Sequence, residues 1–193
     1  QNELKFDLGG WRTTLPKVWE RLDQPKNFIV QERARNSDTG SAFSGGSFEL
    51  ELTLEQYTGL GLLGLLQGTE GPEGILVKIA QITGVSITTV EAALASKIGN
   101  QVRESLKQAS TTLKMELLKS GKATIDGEKG FEIHSKITVI QSGQTLYSRQ
   151  FIMRGSSPNE IVQLTFAGSS KRILTDETVR RAIKKLDQDR LPR

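Results

Sequence analysis

The stretch from residue 122 to residue 166 constrains this chain more than any other, because apolar residues alternate there between three turn signals. A period of two puts one side of a strand in a core and the other in water. Residues 122–126 read as a short strand. The polar turn Asp126-Gly127-Glu128-Lys129-Gly130 then returns the chain into Phe131, Ile133, Ser135, Ile137 and Val139. Gln141-Ser142-Gly143-Gln144 precedes a strand over 146–153, and Gly155-Ser156-Ser157-Pro158-Asn159 precedes another over 161–166. Glycine and short polar residues close tight turns, so these strands are expected to form a local antiparallel meander.

Upstream, Leu4, Phe6 and Leu8 alternate with charged residues and give a first strand that Gly9-Gly10 ends. Residues 11–22 hold two Trp around Leu15-Pro16 and are expected to be a loop or short helix packed on the core. A second strand is read over 28–35, a loop over 36–46, and a third strand with Phe48, Leu50, Leu52 and Leu54 on one face. The apolar run 54–66 contains Gly59, Gly61 and Gly64; Gly68 and Gly71-Pro72 break the chain, and a short helix over 73–82 ends before Gly84. Ser86 reads as the N-cap of a long helix, or two in line bent near 110–112. Its stripe is Ile87, Val90, Leu94, Ile98, Val102, Leu106, Ala109, Leu113 and Leu117. Thr175 reads as the cap of a last helix ending at Leu186, with Val179, Ala182, Ile183 and Leu186 on one face.

Strands interrupted by one helical block predict an α+β domain. The expected form is an antiparallel sheet of about six or seven strands, covered by the long central helix and the C-terminal helix as an α/β/α sandwich. The 193 residues suffice for one core, read as a single domain over 1–193 with a glycine-rich helical insertion at about 55–85.

The chain has no cysteine, which removes disulfides, thiolate zinc clusters and thiol nucleophiles. A cysteine-free chain that starts at Gln1 fits an exported, processed protein of a periplasm or thylakoid lumen, or a trimmed one; a cytoplasmic location stays open. The longest apolar run, 57–66, falls short of the ~20 residues of a membrane span, so no transmembrane segment is expected. The net charge of +4 is concentrated in 171–193, which carries eight basic and four acidic residues while the other 18 of each sign cancel.

Chemistry-bearing motifs are weak. His134 is the only histidine, too few for a histidine metal site, and reads as a strand residue on the face opposite Phe131, Ile133 and Ile137. The stretch Ser41-Ala-Phe-Ser-Gly-Gly-Ser47 lacks the glycine two residues before Ser44 that a nucleophile elbow needs, and reads as a flexible loop. Leu118-Lys-Ser-Gly-Lys-Ala lacks the upstream glycine of a phosphate loop and reads as a helix stop with Gly121 at the cap. Glu49, Glu51 and Glu132 alternate on strands as solvent-facing residues do. No catalytic residue, cofactor or metal is expected, and the chain reads as a non-enzyme.

Two features point to binding. Arg180, Arg181, Lys184 and Lys185 fall on one side of the expected terminal helix, as a solvated face or as a surface for an acidic partner or anionic lipid headgroups. The segment 59–68, with Leu60 and Leu63, is glycine-rich for a soluble helix, which suits close helix packing, a lid, or an apolar patch. Nucleic acid is not expected, since aromatic and basic residues do not interleave on the strands.

The early Leu15-Pro16-x-x-Trp19, the long helix before the hairpin at 126–131, the strand 144–151, the strand 161–166 and the terminal helix together resemble the Mog1/PsbP-like family, with its PsbP, Mog1 and DcrB-like branches. The glycine-rich block 59–84 departs from the compact pattern of that family. The resemblance implies a non-catalytic binding or assembly protein and carries over no site residue. The two functions to weigh are docking onto a protein complex through the basic segment, the apolar segment or both, and carriage of a small apolar ligand or lipid between sheet and helix.

Overall fold

The computed structural model describes residues 3–23, 27, 29–68 and 70–186. Its centre is a seven-stranded antiparallel sheet in the order β3 (Trp19–Arg21), β4 (Glu32–Asn36), β5 (Ala42–Glu49), β9 (Glu160–Gly168), β8 (Thr145–Arg154), β7 (Glu128–Val139), β6 (Leu113–Ile125). A second sheet joins β1 (Leu4–Leu8), β2 (Trp11–Leu15) and β10 (Ile183–Lys185). The helices are α1 (Leu54–Leu66), α2 (Pro72–Thr83), α3 (Ile87–Ala95), α4 (Lys97–Ala109) and α5 (Glu177–Arg181), with a 3-10 turn at Lys171–Leu174. The α+β class and the seven-stranded antiparallel sheet are as the alternation predicts.

Parity divides the large sheet into two apolar faces. Phe43, Phe151, Met153, Val162, Leu164 and Phe166 pack against the small sheet, the 3-10 turn and α5. Phe48, Phe131, Ile133, Ile152 and Ile161 pack against α1, α2 and α3. The second face is therefore the one the helical block was expected to cover. The first is closed chiefly by three strands and only in part by the terminal helix.

Several elements differ from the sequence reading, each for a physical reason. Residues 11–22 form two strands, because Gly9 (φ 53°) and Gly10 (φ 84°) make a two-residue turn that pairs β1 with β2 from Leu8↔Trp11 onward. The stretch 41–47 is not a loop: from Ala42 onward it belongs to strand β5, with Ala42–Glu49 all paired to β9. The long helix is two short ones followed by a strand. Ser96 is extended (φ −67°, ψ 165°) and serves as C-cap of α3 and N-cap of α4, its hydroxyl accepting from the Gly99 N–H. Leu113 and Leu117 lie on β6, which is 13 residues long rather than the short strand 122–126 and holds Gly121 in its interior rather than at a helix cap. The terminal helix spans five residues and is capped by Asp176 rather than Thr175, after which Ile183, Lys184 and Lys185 pair with Thr13, Arg12 and Trp11. The strand read over 28–35 is observed as Glu32–Asn36; Phe28 lies outside the described residues, as do Asp187, Asp189, Arg190 and Arg193.

Two of the three glycines of α1 have contacts that account for them; at Gly61 a Cβ would meet nothing within 4 Å. A Cβ at Gly59 would stand 2.9 Å from Ile79 Cγ2 of α2, and one at Gly64 would stand 2.5 Å from Leu106 Cδ2 of α4. Side chains of two neighbouring helices thus pack directly on the α1 backbone, and an alanine at either position would require them to shift. A capping box between Thr53 and Gln56 opens α1, and Glu55 in its first turn meets Lys129 Nζ at 3.0 Å. Burial alone would raise the Glu55 pKa, but its own backbone hydrogen bond, Lys129 and Arg154 together hold it below its ordinary value of 4.5. A lowered folded-state pKa stabilises above the unfolded value and is lost as pH falls through the folded one. Lys129→Ala should therefore cost about 0.5 kcal/mol in urea unfolding at neutral pH, and the difference from the parent should vanish in acid below the carboxylate range.

Candidate functional site

The four basic residues expected on one helix face are split by the fold. Lys185 is drawn inward: its N–H donates to Asp126 Oδ2 at 2.6 Å, and its Nζ lies 2.7 Å from Glu128 Oε1. Lys184 Nζ stands 3.9 Å from Asp126 Oδ1. Both lysines clamp β10 to the β6–β7 turn, so their charge is largely neutralised at home. Arg180 instead donates from Nη2 to the Thr124 carbonyl at 2.9 Å, and Arg181 is exposed. Leu60 and Leu63 lie in the helical layer, 3% and 5% exposed.

A cleft of about 340 Å³ opens at the outer border of the large sheet. Its wall is β6 from Lys119 to Thr124, its lip is Arg180, and its floor holds Glu132 and His134 of β7. Register fixes this arrangement: Lys119 pairs with His134 and Gly121 with Glu132, so these four share the sheet face on which α5 sits. His134 is on the face opposite Phe131 and Ile133, as the alternation predicts, and it is buried.

The floor is a charge network, in which Arg149 Nε faces the carboxylate as an ion pair without a hydrogen bond. His134 Nε2 and Glu132 Oε2 are 2.5 Å apart, and Arg149 Nε of β8 is 3.4 Å from the same carboxylate oxygen. Arg149 is 3% exposed, donates from Nη1 to the Asp176 carbonyl at 2.9 Å, and places its guanidinium 5.0 Å from the Phe151 ring centroid. One carboxylate thus answers a buried guanidinium and an imidazole while tying β7 and β8 to the cap of α5. Among the described residues no group of three or more His, Cys, Asp or Glu is placed to hold a metal ion.

The border above this floor is different. Lys119, Lys122, Arg180 and Arg181 have no described carboxylate within 4.0 Å. Sequence reading found Arg180 and Arg181 from the charge count. It missed Lys119 and Lys122, whose only signal was a Lys-Ser-Gly-Lys spacing set aside as a failed phosphate loop.

The other cavities bear on ligand carriage. Between α1 and α2–α3, around Gly59, Leu60, Ile79 and Val90, only about 10 Å³ is free, too little for a ligand. An open groove of about 670 Å³ lies instead on the outer side of the helical layer, with Leu63, Ile75, Leu76 and Leu94 on its apolar floor and Arg103 and Lys107 of α4 on its rim. Tyr57 is buried with its hydroxyl on Gln163, and burial pushes its phenol well above the ordinary value. No single helix among the described residues is long and apolar enough to cross a membrane.

No family model matches the chain, and no curated protein matches it in sequence. Solved structures do. Cyanobacterial PsbP (CyanoP) from Synechocystis superposes with a TM-score of 0.55 at 10% identity, over 95% of this chain and 92% of that one. LpqN, involved in cell envelope biogenesis of Mycobacterium tuberculosis, gives 0.49 at 8% identity over 94% and 89%. The Ran-binding protein Mog1p of Saccharomyces cerevisiae gives 0.47 at 13% identity over 97% of each chain. The superposition on CyanoP covers nearly the whole of both chains, and this chain therefore has the Mog1/PsbP-like fold.

Proposed function

We propose that the chain is a non-catalytic binding or assembly protein that docks onto a protein partner with an acidic surface. The observation that carries the reading is the border of Lys119, Lys122 and Arg180, with Arg181 exposed beside Arg180 on α5, where none of the four cations has a described carboxylate within 4.0 Å. Charges left unneutralised on one border steer an oppositely charged partner and favour its capture. The Mog1/PsbP-like fold supports the reading through its resemblance to a family of binding and assembly factors, and the cysteine-free sequence is compatible with work in an exported compartment. The basic surface of the proposal is thus Arg180 and Arg181 joined by Lys119 and Lys122, with Lys184 and Lys185 holding β10 in place.

The test is a pull-down with the intact protein as bait beside a Lys119→Glu, Lys122→Glu, Arg180→Glu, Arg181→Glu variant. We expect one specific partner to be lost from the variant, and to be weakened on the parent as salt rises above about 0.15 M. Circular dichroism should show the variant folded, since all four residues are exposed. Equal capture by both baits overturns the electrostatic docking.

Carriage of an apolar ligand or lipid is a second reading, favoured by one observation, the outer groove floored by Leu63, Ile75, Leu76 and Leu94. A thermal shift with a medium-chain fatty acid that Leu76→Glu removes would support it.

A further inference from the structure

The border has a backbone as well as charges. The β6–β7 turn has positive φ at both central residues, Asp126 (45°) and Gly127 (80°), so Ile125 and Glu128 are the pair that closes a two-residue hairpin. In an antiparallel ladder the bonded and non-bonded pairs alternate. Ala123 and Gly121 therefore turn their N–H and C=O inward to β7, while Thr124, Lys122 and Ser120 turn theirs outward. The Thr124 carbonyl confirms this phase, since Arg180 reaches it from outside the sheet. β6 is the last strand of the large sheet among the described residues, and no described element bonds the outward groups of Ser120 or Lys122.

Both ends of this open segment are marked. The register shifts between Leu117 and Lys119, which makes Leu118 a bulge with its side chain 47% exposed. Arg180 closes the other end. Between them sits Gly121, for which turn geometry gives no reason: its φ is not positive, and a Cβ built on it would meet nothing within 4 Å. Glycine weakens a strand interior and often marks a bulge or a place where a ligand or another backbone comes close; the bulge here is three residues away, at Leu118. Here it leaves a notch over Glu132 and His134, between the Lys119 side chain and Arg180.

Resting on the docking reading above, we propose that the outer edge of β6 from Lys119 to Arg180's contact at Thr124 takes an extended acidic segment of the partner as an added strand. Its backbone pairs with Ser120 and Lys122, and one of its carboxylates sits in the notch over Gly121, between Lys119 and Arg180. Strand addition draws affinity from main-chain bonds and specificity from alternate side chains. Charge selects the occupant: a second copy would set its own Lys119 and Lys122 against these, and lysines and bulges on an edge oppose such self-pairing. An acidic strand turns Lys119 from a guard into a contact, while Lys122 lies on the other sheet face, where a Cβ on Gly84 would stand 2.6 Å from its Nζ.

The probe is a capped, fluorescein-labelled peptide Thr-Val-Glu-Val-Glu-Val-Thr, with a Gln-for-Glu version as control, read by anisotropy and by amide hydrogen exchange. We expect saturable binding of the acidic peptide alone, with slowed exchange at Ser120 and Lys122. Gly121→Val fills the notch with a strand-favouring residue and should weaken binding at least about tenfold while leaving the melting temperature unchanged or raised. Equal binding to Gly121→Val, equal binding of the Gln peptide, absent binding, or protection confined to other strands would each overturn the proposal. Binding to phosphatidylserine vesicles that the peptide does not displace would overturn it in favour of a membrane surface. Should the charge-reversed bait lose its native partner while Gly121→Val keeps it, strand addition falls and the docking reading stands; should both keep it, both fall.

Discussion

Glu132→Ala should lower stability by about 3 kcal/mol, among the largest losses of any single substitution outside the apolar cores. The carboxylate is the anion facing Arg149, whose guanidinium is almost wholly buried beneath α5, and it is also bonded to His134. Removing it leaves a buried cation uncompensated, and breaking one partner of a buried pair costs far more than the pair contributes as a whole. The same argument predicts a rescue. Arg149→Met added to Glu132→Ala removes the stranded charge and should recover a large part of the loss, as apolar replacement of buried ion pairs does. Urea unfolding at neutral pH of the parent, the single variants and the double variant measures the coupling. Because Arg149 also donates to the Asp176 carbonyl at the head of α5, faster amide exchange in α5 should accompany the single substitution. A loss below about 1 kcal/mol would mean that water reaches the guanidinium once the carboxylate is gone.

The legible parts of this fold are those where one period was available. Phe131, Ile133 and Ile137 alternate over a strand paired without interruption, and Gly127 and Gly143 stand at the turns with positive φ. The misread parts carry spacings that satisfy two periods. Leu113 and Leu117, or Val179 and Ile183, are four apart, which suits one helix face and equally one strand face. The bulge at Leu118 compounds this by shifting the strand's phase in mid-course. At Ser96 the apolar stripe runs through a break, since Leu94 and Ile98 lie on either side of it, and Gly99 marks where α4 turns away: a Cβ there would stand 2.3 Å from the Ala93 carbonyl oxygen. For the candidate site, Arg180 and Arg181 could be read from charge alone. Lys119 and Gly121 could not, because their meaning depends on β6 being an edge strand, and edge position is a property of the whole sheet.

Gly46→Ala should be about as damaging as the loss of Glu132, at roughly 3 kcal/mol, equivalent to a fall in Tm of about 6–12 °C. A Cβ on Gly46 would stand 1.8 Å from the Ile29 carbonyl oxygen and 2.8 Å from its carbon, so it meets backbone rather than a side chain that can swing away. That backbone is held in place. Gln31 N–H donates to the Gly45 carbonyl at 2.9 Å, its side-chain amide donates to the Ser47 carbonyl at 2.5 Å, and Ser47 N–H donates back to Gln31 Oε1 at 3.0 Å. On its other edge Gly46 is paired to Gln163 of β9, which keeps β5 from yielding. Ser44→Ala, two residues earlier on the same face of the same strand, meets no such obstacle and should change stability by less than about 0.5 kcal/mol. The pair separates two accounts of one Gly/Ser-rich stretch. A flexible loop, the structure its composition favours, would absorb both substitutions without loss. A sheet strand crossed closely by another segment tolerates the first-named change only by expelling residues 29–31, so a large loss at Gly46 beside a negligible one at Ser44 is the result that the packing of β5 requires.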